Sequence, residues 1–118
     1  MRPVKVSFID DAAEEWEGLN KVVAEEKSKG IENSENQQLL KSIKQKIELI
    51  KINPQYGSSV PKRLIPKKFP VDNLWVADLT GFWRMLYTLK GSQVEILCFI
   101  LEILDHRKYD KLFGYRKK

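Results

Sequence analysis

The segment at residues 94–104 constrains the fold of this chain more than any other, because it is apolar at almost every position. Glu102 interrupts it, and the segment is too short to span a bilayer. A buried helix is the competing interpretation, but turn residues flank the segment and β-branched residues open it, which favours a strand. A strand that is apolar on both sides needs cover on both faces. We therefore predict that it lies inside a sheet, beside a strand at 82–89.

Two helices are predicted in the first half of the chain, after a strand at residues 4–8 in which apolar and polar residues alternate. Residues 10–30 and 33–53 carry apolar side chains at helical spacing. The first of these segments ends at a glycine, and the second ends before Pro54, where the preceding residue avoids the helical conformation. The short polar link between them predicts an αα-hairpin.

Three strands are predicted in the second half, at residues 74–79, 82–89 and 94–104. Residues 60–70 contain three prolines and four cations, which predicts an irregular or edge segment, with an additional edge strand near 60–66 as an alternative. The order β-α-α-β-β-β predicts a single α+β domain over the whole chain. We expect a twisted, mostly antiparallel sheet with the αα-hairpin on one face and a partly open face for a ligand.

The charge of the chain is unevenly distributed. Its net charge is +5, but residues 60–118 alone carry 12 Lys and Arg against 6 Asp and Glu. This excess indicates a polyanionic partner such as a nucleic acid, or a basic surface that serves solubility. The single cysteine, Cys98, cannot form an internal disulfide, and the N-terminus lacks the pattern of a signal peptide. We therefore expect a soluble, cytoplasmic protein that is not associated with a membrane.

Arg84 is the first candidate site residue, because it lies in the middle of an otherwise apolar strand. A buried arginine needs an acidic partner or an anionic ligand. An ion pair with Asp78 or Asp72 on the neighbouring strand is one interpretation. The other is a guanidinium group that holds a phosphate, for which its planar arrangement of donors is well suited.

His106 and Tyr109 follow the central strand directly. His106 is the only histidine, and an imidazole that titrates near neutral pH suits general acid–base catalysis, although an ordinary loop histidine is the alternative. Tyr109 could stack on a base or bind a phosphate, or it could pack the tail against the sheet. One histidine and one cysteine do not make a zinc site, so we expect neither a metal nor a cofactor.

The densest basic cluster lies in the proline-rich segment. It consists of Lys62, Arg63, Lys67 and Lys68. These side chains could attract phosphates without sequence preference, or they could protect an edge strand from aggregation. Arg107, between the histidine and the tyrosine, is a further candidate for RNA binding.

Taken together, the chain resembles the RelE/ParE toxins of bacterial and archaeal toxin–antitoxin modules. The resemblance lies in the element order, the length and three segments, which are INPQYGSSVPKRLIPK, GFWRMLYTL and ILDHRKYDKLF. In that family a helix ends at an Asn-Pro pair, a basic segment follows, and one strand carries an Arg-x-x-Tyr element. The central strand then leads into a segment that contains His, Arg and Tyr.

The resemblance implies one of two activities. RelE-like and YoeB-like members cleave mRNA, typically in the ribosomal A site, whereas ParE-like members poison DNA gyrase. We expect an mRNA endonuclease that is monomeric alone or bound to a cognate acidic antitoxin. A gyrase inhibitor and a non-toxic RNA-binding protein are the alternatives.

The resemblance also implies roles for individual residues. It places the phosphate-stabilising arginine at Arg84, the acid–base or phosphate-binding group at His106 and the site tyrosine at Tyr109. The RNA-contacting residues fall on the basic cluster in the proline-rich segment. The glutamate base of YoeB-like members has no counterpart in this sequence.

Overall fold

A five-stranded mixed sheet forms the centre of the computed structural model, which describes residues 2–114. The strand order across the sheet is β1-β5-β4-β3-β2. The β1–β5 pair is parallel and the other pairs are antiparallel, which confirms the predicted α+β fold class. The elements in chain order are β1 (Val4–Phe8), α1 (Asp10–Ser28), α2 (Glu35–Ile52), β2 (Ser58–Ser59), β3 (Trp75–Asp78), β4 (Arg84–Gly91), β5 (Ile96–Leu104) and α3 (His106–Phe113).

Strand β5 lies inside the sheet, as its uniform apolarity predicted. Its neighbours are β1 on one side and β4 on the other. The register between β4 and β5 shifts by one residue, because Leu86 pairs with Glu102 while Tyr87 pairs with Ile100. Such a bulge bends the strand locally. The helix alternative for this segment is therefore wrong.

Helices α1 and α2 cover one face of the sheet. Ser34 caps α2 by accepting a hydrogen bond from the Gln37 amide at 3.1 Å, and Gly30 follows α1 with a φ of +79°. No helix within residues 2–114 is long and apolar enough to cross a membrane. The core on this face combines helix and strand residues: Ala12, Leu39, Ile43, Ile50, Ala77, Leu79, Met85, Tyr87, Cys98, Ile100 and Ile103.

The opposite face of the sheet has a second, smaller apolar cluster. Its buried members are Phe69, Leu74, Val76, Leu86, Leu101 and Leu104. The segment at residues 60–71 and helix α3 pack against this cluster from outside. Both faces of β5 are thus covered, but the second face keeps an open cleft of about 1040 Å³.

The second half of the chain also departs from the predictions. The edge strand is Ser58–Ser59, which pairs with β3, and no strand forms at 60–66. Prolines in that segment cannot donate ladder hydrogen bonds, and Lys62–Leu64 forms a short 3-10 turn instead. Residues 80–82 also form a turn, so β4 begins at Arg84 rather than at Phe82.

Helix α3 lies in the tail, for which no helix was predicted. Asp105 is its N-cap and accepts a hydrogen bond from the Lys108 amide at 2.9 Å. Gly114 ends the helix in the left-handed conformation that glycine adopts readily. The rest of the tail, residues 115–118, lies outside the described residues.

Candidate functional site

Arg84 lies at the first position of β4 and is held by an acidic partner. Its Nε is 3.2 Å from Oδ1 of Asp78, which is its cross-strand partner on β3. The Arg84 side chain is 26% exposed, whereas that of Asp78 is 80% exposed. Of the two alternatives from the sequence, Asp78 rather than Asp72 is therefore the ion-pair partner. An ion pair with so exposed a carboxylate is weak, so an anionic ligand can compete for Arg84.

The ring of Tyr109 lies against the same guanidinium group. The distance from Cζ of Arg84 to the centre of the Tyr109 ring is 5.3 Å, within the range of a cation–π interaction. Phe113, one turn later on α3, packs against Tyr109, with 4.7 Å between the two ring centres. Arg84 is thus positioned by an anion and by an aromatic ring, on two different elements.

His106 is the first residue of α3 and is exposed. It lies three residues before Tyr109, so the two side chains project from the same side of the helix. Its ring packs edge-on against that of Phe82, with 5.9 Å between the ring centres. Since Arg84 pairs with Leu104 at the end of β5, the start of β4 and the start of α3 are neighbours. The structure thereby brings Arg84, His106 and Tyr109 to one end of the sheet.

The predicted RNA-binding residues differ in how they are held. Lys62, Arg63 and Lys67 are exposed in the segment that covers the second face, and Arg107 is exposed on α3. Lys68 is instead committed to an ion pair, with its Nζ 3.0 Å from Oε1 of Glu102. The Glu102 side chain is only 16% exposed, so this pair is better shielded from water than a typical surface pair.

Two lysines of α3 escaped the sequence-based selection of RNA-binding residues. Lys108 and Lys111 line a small hollow of about 230 Å³ together with Lys68 and Glu102. The hollow also contacts Leu104, the cross-strand partner of Arg84. These lysines were missed because they lie on a helix that was not predicted from the sequence.

The comparisons with known proteins support the fold. No family model matches the sequence, and no curated protein is significantly similar to it. Among solved structures, a YoeB/ParE toxin from Agrobacterium tumefaciens superposes with a TM-score of 0.56. The match is 16% identical in sequence and covers 86% of this chain and 98% of that one. The chain has the RelE/ParE toxin fold.

Within the RelE/ParE fold of this chain, the large cleft is separate from the three predicted catalytic residues, although the predicted RNA-binding residue Lys68 lines it. Four carboxylates line the cleft, against two lysines; the charged lining residues are Asp10, Asp11, Asp72, Glu102, Lys68 and Lys90. Arg84, His106 and Tyr109 are not among its lining residues. Because carboxylates repel phosphates, the lining of the cleft disfavours a polyanion, whereas Arg84 at the end of the sheet favours one.

Tyr87, the tyrosine of the Arg-x-x-Tyr element, has a structural role in this RelE/ParE fold. It is fully buried, accepts a hydrogen bond from the Gly57 amide and donates one to the Pro54 carbonyl, both at 2.9 Å. Burial raises the pKa of its hydroxyl to about 12. Burial likewise raises the pKa of the Cys98 thiol to about 12, so that thiol is not poised as a nucleophile.

Proposed function

We propose that this chain is the toxin of a type II toxin–antitoxin module and a metal-independent endoribonuclease that cleaves mRNA in the ribosomal A site. The observation that carries the proposal is the placement of Arg84 between Asp78 and the Tyr109 ring, with His106 on the same helix as Tyr109. The RelE/ParE fold of the chain supports the same conclusion.

The proposed reaction is an intramolecular transesterification of RNA. The ribose 2′-oxygen loses its proton to a base and forms a bond to the adjacent phosphorus, while the bond from phosphorus to the 5′-oxygen breaks. His106 donates a proton to that leaving oxygen. The products are a 2′,3′-cyclic phosphate and a 5′-hydroxyl end.

Arg84 stabilises the negative charge that builds up on the phosphoryl oxygens during this step. A preorganised donor at such a position is typically worth about 3–4 kcal/mol. The contact with the Tyr109 ring fixes the guanidinium before the substrate arrives, so little reorganisation is needed. The exposed carboxylate of Asp78 gives way to the phosphate, or shares the guanidinium with it.

The exposed basic residues attract the RNA backbone in this proposal. The RNA backbone is contacted by Lys62, Arg63 and Lys67 from the segment at 60–71, and by Arg107 from α3. Lysine and arginine at such positions supply affinity that does not depend on sequence. The lysines around the small hollow add positive charge next to Leu104, on the same side of the sheet as Arg84.

The deciding experiment is mapping of RNA ends after cleavage. The purified protein is incubated with a reporter mRNA, with and without ribosomes and with a chelator present, and the new ends are located by primer extension. We expect cuts that carry 2′,3′-cyclic phosphates and that disappear in Arg84→Ala, while Arg107→Ala changes binding more than rate. Inhibition of gyrase supercoiling without any RNA cut would contradict the proposal and favour the gyrase-inhibiting alternative.

The proposed toxin also requires an acidic antitoxin as its partner. Residues 60–118 carry a clear excess of cations, and an acidic segment that folds on binding would complement them. We expect an acidic protein to copurify with the chain from its native host and to dissociate more readily in high salt. Harmless overexpression together with no acidic copurifying protein would contradict this part of the proposal.

A further inference from the structure

Phe82 occupies the tip of the hairpin between β3 and β4, where its backbone is strained. The Trp83 amide donates a hydrogen bond to the Thr80 carbonyl at 3.3 Å and closes a tight turn. Both central residues of the turn, Gly81 and Phe82, have a φ of +64°. Turns with two positive φ values favour glycine or asparagine, and a phenylalanine held in this region is strained.

The side chain of Phe82 is also unusual, because it faces solvent. The residue is 71% exposed and belongs to neither apolar cluster of the sheet. Its ring meets the His106 ring edge-on, at 66° between the planes, which leaves much of the ring surface accessible. Strain and exposed apolar surface thus coincide in one residue, beside the proposed site. Strained residues of this kind concentrate at functional sites.

We propose that Phe82 is a stacking platform for an unpaired nucleobase of single-stranded RNA, next to the phosphate that Arg84 holds. The proposal rests on the proposed function and names how the substrate is positioned. Phe82 and Arg84 are two residues apart, and His106 contacts Phe82, so a base on this ring belongs to a nucleotide beside the cleaved bond. Aromatic stacking tolerates any base, and purines offer the larger ring surface.

The neighbours of Phe82 favour a nucleotide over a protein as the occupant of this surface. A protein partner that inserts an apolar anchor needs an apolar pocket around it. The ring of Phe82 instead contacts the His106 imidazole, and the Arg84 guanidinium and Tyr109 ring, which contact each other, belong to the same end of the sheet. A cation next to open aromatic surface suits a ligand that combines a phosphate with a flat base.

The test compares two substitutions that separate the aromatic ring from the turn. Phe82→Asn keeps a residue that adopts positive φ readily but removes the ring, whereas Phe82→Trp keeps an aromatic ring. The probe is a short single-stranded RNA with 2-aminopurine at one position and a 2′-deoxy sugar that blocks cleavage. It is used free and bound in the ribosomal A site.

We expect wild type and Phe82→Trp to quench the 2-aminopurine fluorescence, since stacking quenches this base. Phe82→Asn should lose the quenching and bind on the order of tenfold more weakly, as is usual for the loss of one stacked base. Its thermal midpoint should equal or exceed that of wild type, because asparagine relieves the backbone strain. This last measurement separates a loss of stacking from a loss of folding.

Several outcomes would overturn the inference. Phe82→Asn that binds and quenches like wild type would do so, as would a wild type that does not quench in either setting. If wild type still cleaves RNA in those cases, the proposed function stands and only the stacking role fails. If wild type neither cleaves nor binds RNA, both fall. If Phe82→Asn binds RNA like wild type but loses affinity for an acidic partner protein, Phe82 is a protein contact instead.

Discussion

Neighbouring residues hold the side chain of Arg84 in place. Asp78 holds Nε, the Tyr109 ring lies on the guanidinium, and Nη1 makes a long contact of 3.5 Å to the Trp83 carbonyl. The guanidinium is therefore held in place by contacts with two different elements, β3 and α3. A substitution of Arg84 that keeps the positive charge can therefore separate the role of the planar guanidinium from the role of charge.

Arg84→Lys is the corresponding prediction at the residue scale. Lysine keeps the charge but loses the planar set of donors, so a bidentate phosphate contact predicts a loss of cleavage rate close to that of Arg84→Ala, on the order of a hundredfold or more. Single-turnover cleavage of the reporter RNA measures the rate, and thermal unfolding controls for the loss of the Asp78 pair. A lysine variant with nearly wild-type rate would show that charge alone suffices.

Glu15 is a second residue with a distinctive environment, at the edge of the sheet beyond the end of β1. Its Oε1 accepts a hydrogen bond from the Ile103 amide at 3.0 Å, in place of a strand partner. Burial raises the pKa of this carboxyl above its ordinary value of 4.5, and the charges of Glu102 and Asp11 add to the shift. The hydrogen bond from Ile103 opposes it.

Glu15→Gln should consequently stabilise the protein at neutral pH. The folded protein holds the Glu15 proton more tightly than the unfolded chain, so the contribution of Glu15 is present in acid and is lost as pH rises through its folded pKa. Glutamine keeps an acceptor for Ile103 and has no charge to bury. Urea unfolding at about pH 4 and about pH 7 should show a gain only at the higher pH. Glu14→Gln, at an exposed position, is the matched control and should show no such gain.

At the scale of the element, helix α3 organises the candidate site, since it carries both His106 and Tyr109. The helix has only eight residues, so its own propensity cannot hold it in place. The Asp105 cap at one end and packing against the second face fix it. Any change that loosens α3 should therefore lower the rate of the proposed reaction.

Asp105→Ala tests that dependence. Removal of the cap should lower the free energy of unfolding by about 1 kcal/mol and should also lower the cleavage rate, because two site residues lose their position together. Asp105→Asn keeps a capping oxygen and should leave both properties nearly unchanged. Chemical denaturation and single-turnover cleavage measure the two effects. Equal cleavage by both variants would mean that α3 does not depend on this cap.

The sequence predicted the elements that periodicity governs. The interior position of β5 follows from its two apolar faces, and the helical hairpin follows from the stripes on α1 and α2. Helix α3 was missed because its few apolar positions are interleaved with charges, although Asp105 and Gly114 bracket it with ordinary capping residues. Arg84 stood out as a charge in an apolar strand.

Other parts of the site depend on tertiary contacts that no local pattern reveals. The pairing of Lys68 with Glu102 joins residues that are 34 positions apart. The strain at Phe82 appears only once the hairpin is closed, because the residue continues the apolar pattern of β4 in the sequence. Lys108 and Lys111 line the small hollow because of the face of α3 on which they lie, and the sequence alone does not show that face.

At the scale of the whole molecule, charge is divided between two regions of the same face. The open cleft is rich in carboxylates, whereas the segment at 60–71 and helix α3 carry exposed cations. Under the proposed function, an RNA strand is repelled from the first region and attracted to the second. The proposal therefore places the strand at the end of the sheet where Arg84 lies.

Salt dependence of RNA binding provides the prediction at this scale. Lys62→Ala and Lys67→Ala should each weaken binding and reduce the slope of log K against log salt by about 0.7, because each removes one phosphate contact. The cleavage rate at saturating RNA should stay close to that of wild type. Slopes that do not change would exclude these lysines from the RNA path.

Lys68→Ala should behave differently from its neighbours. Lys68 is paired with the shielded Glu102, so its removal leaves a carboxylate without that partner and should lower stability. Lys68→Ala with Glu102→Gln together should recover part of the lost stability, which a double-mutant cycle in urea measures. A Lys68→Ala variant that loses only RNA affinity, as stable as wild type, would contradict this distinction.

The parallel pairing of β1 with β5 has a consequence for the order in which the protein folds during its synthesis. Residues 4–8 find their partners at residues 96–100, so β1 cannot join the sheet until residue 100 has been synthesised. A nascent chain that has exposed α1 and α2 still lacks β5 and α3, and with α3 it lacks His106, the proposed proton donor, and Tyr109, which holds Arg84. The same topology that buries β5 therefore delays assembly of the proposed site until helix α3 has been synthesised.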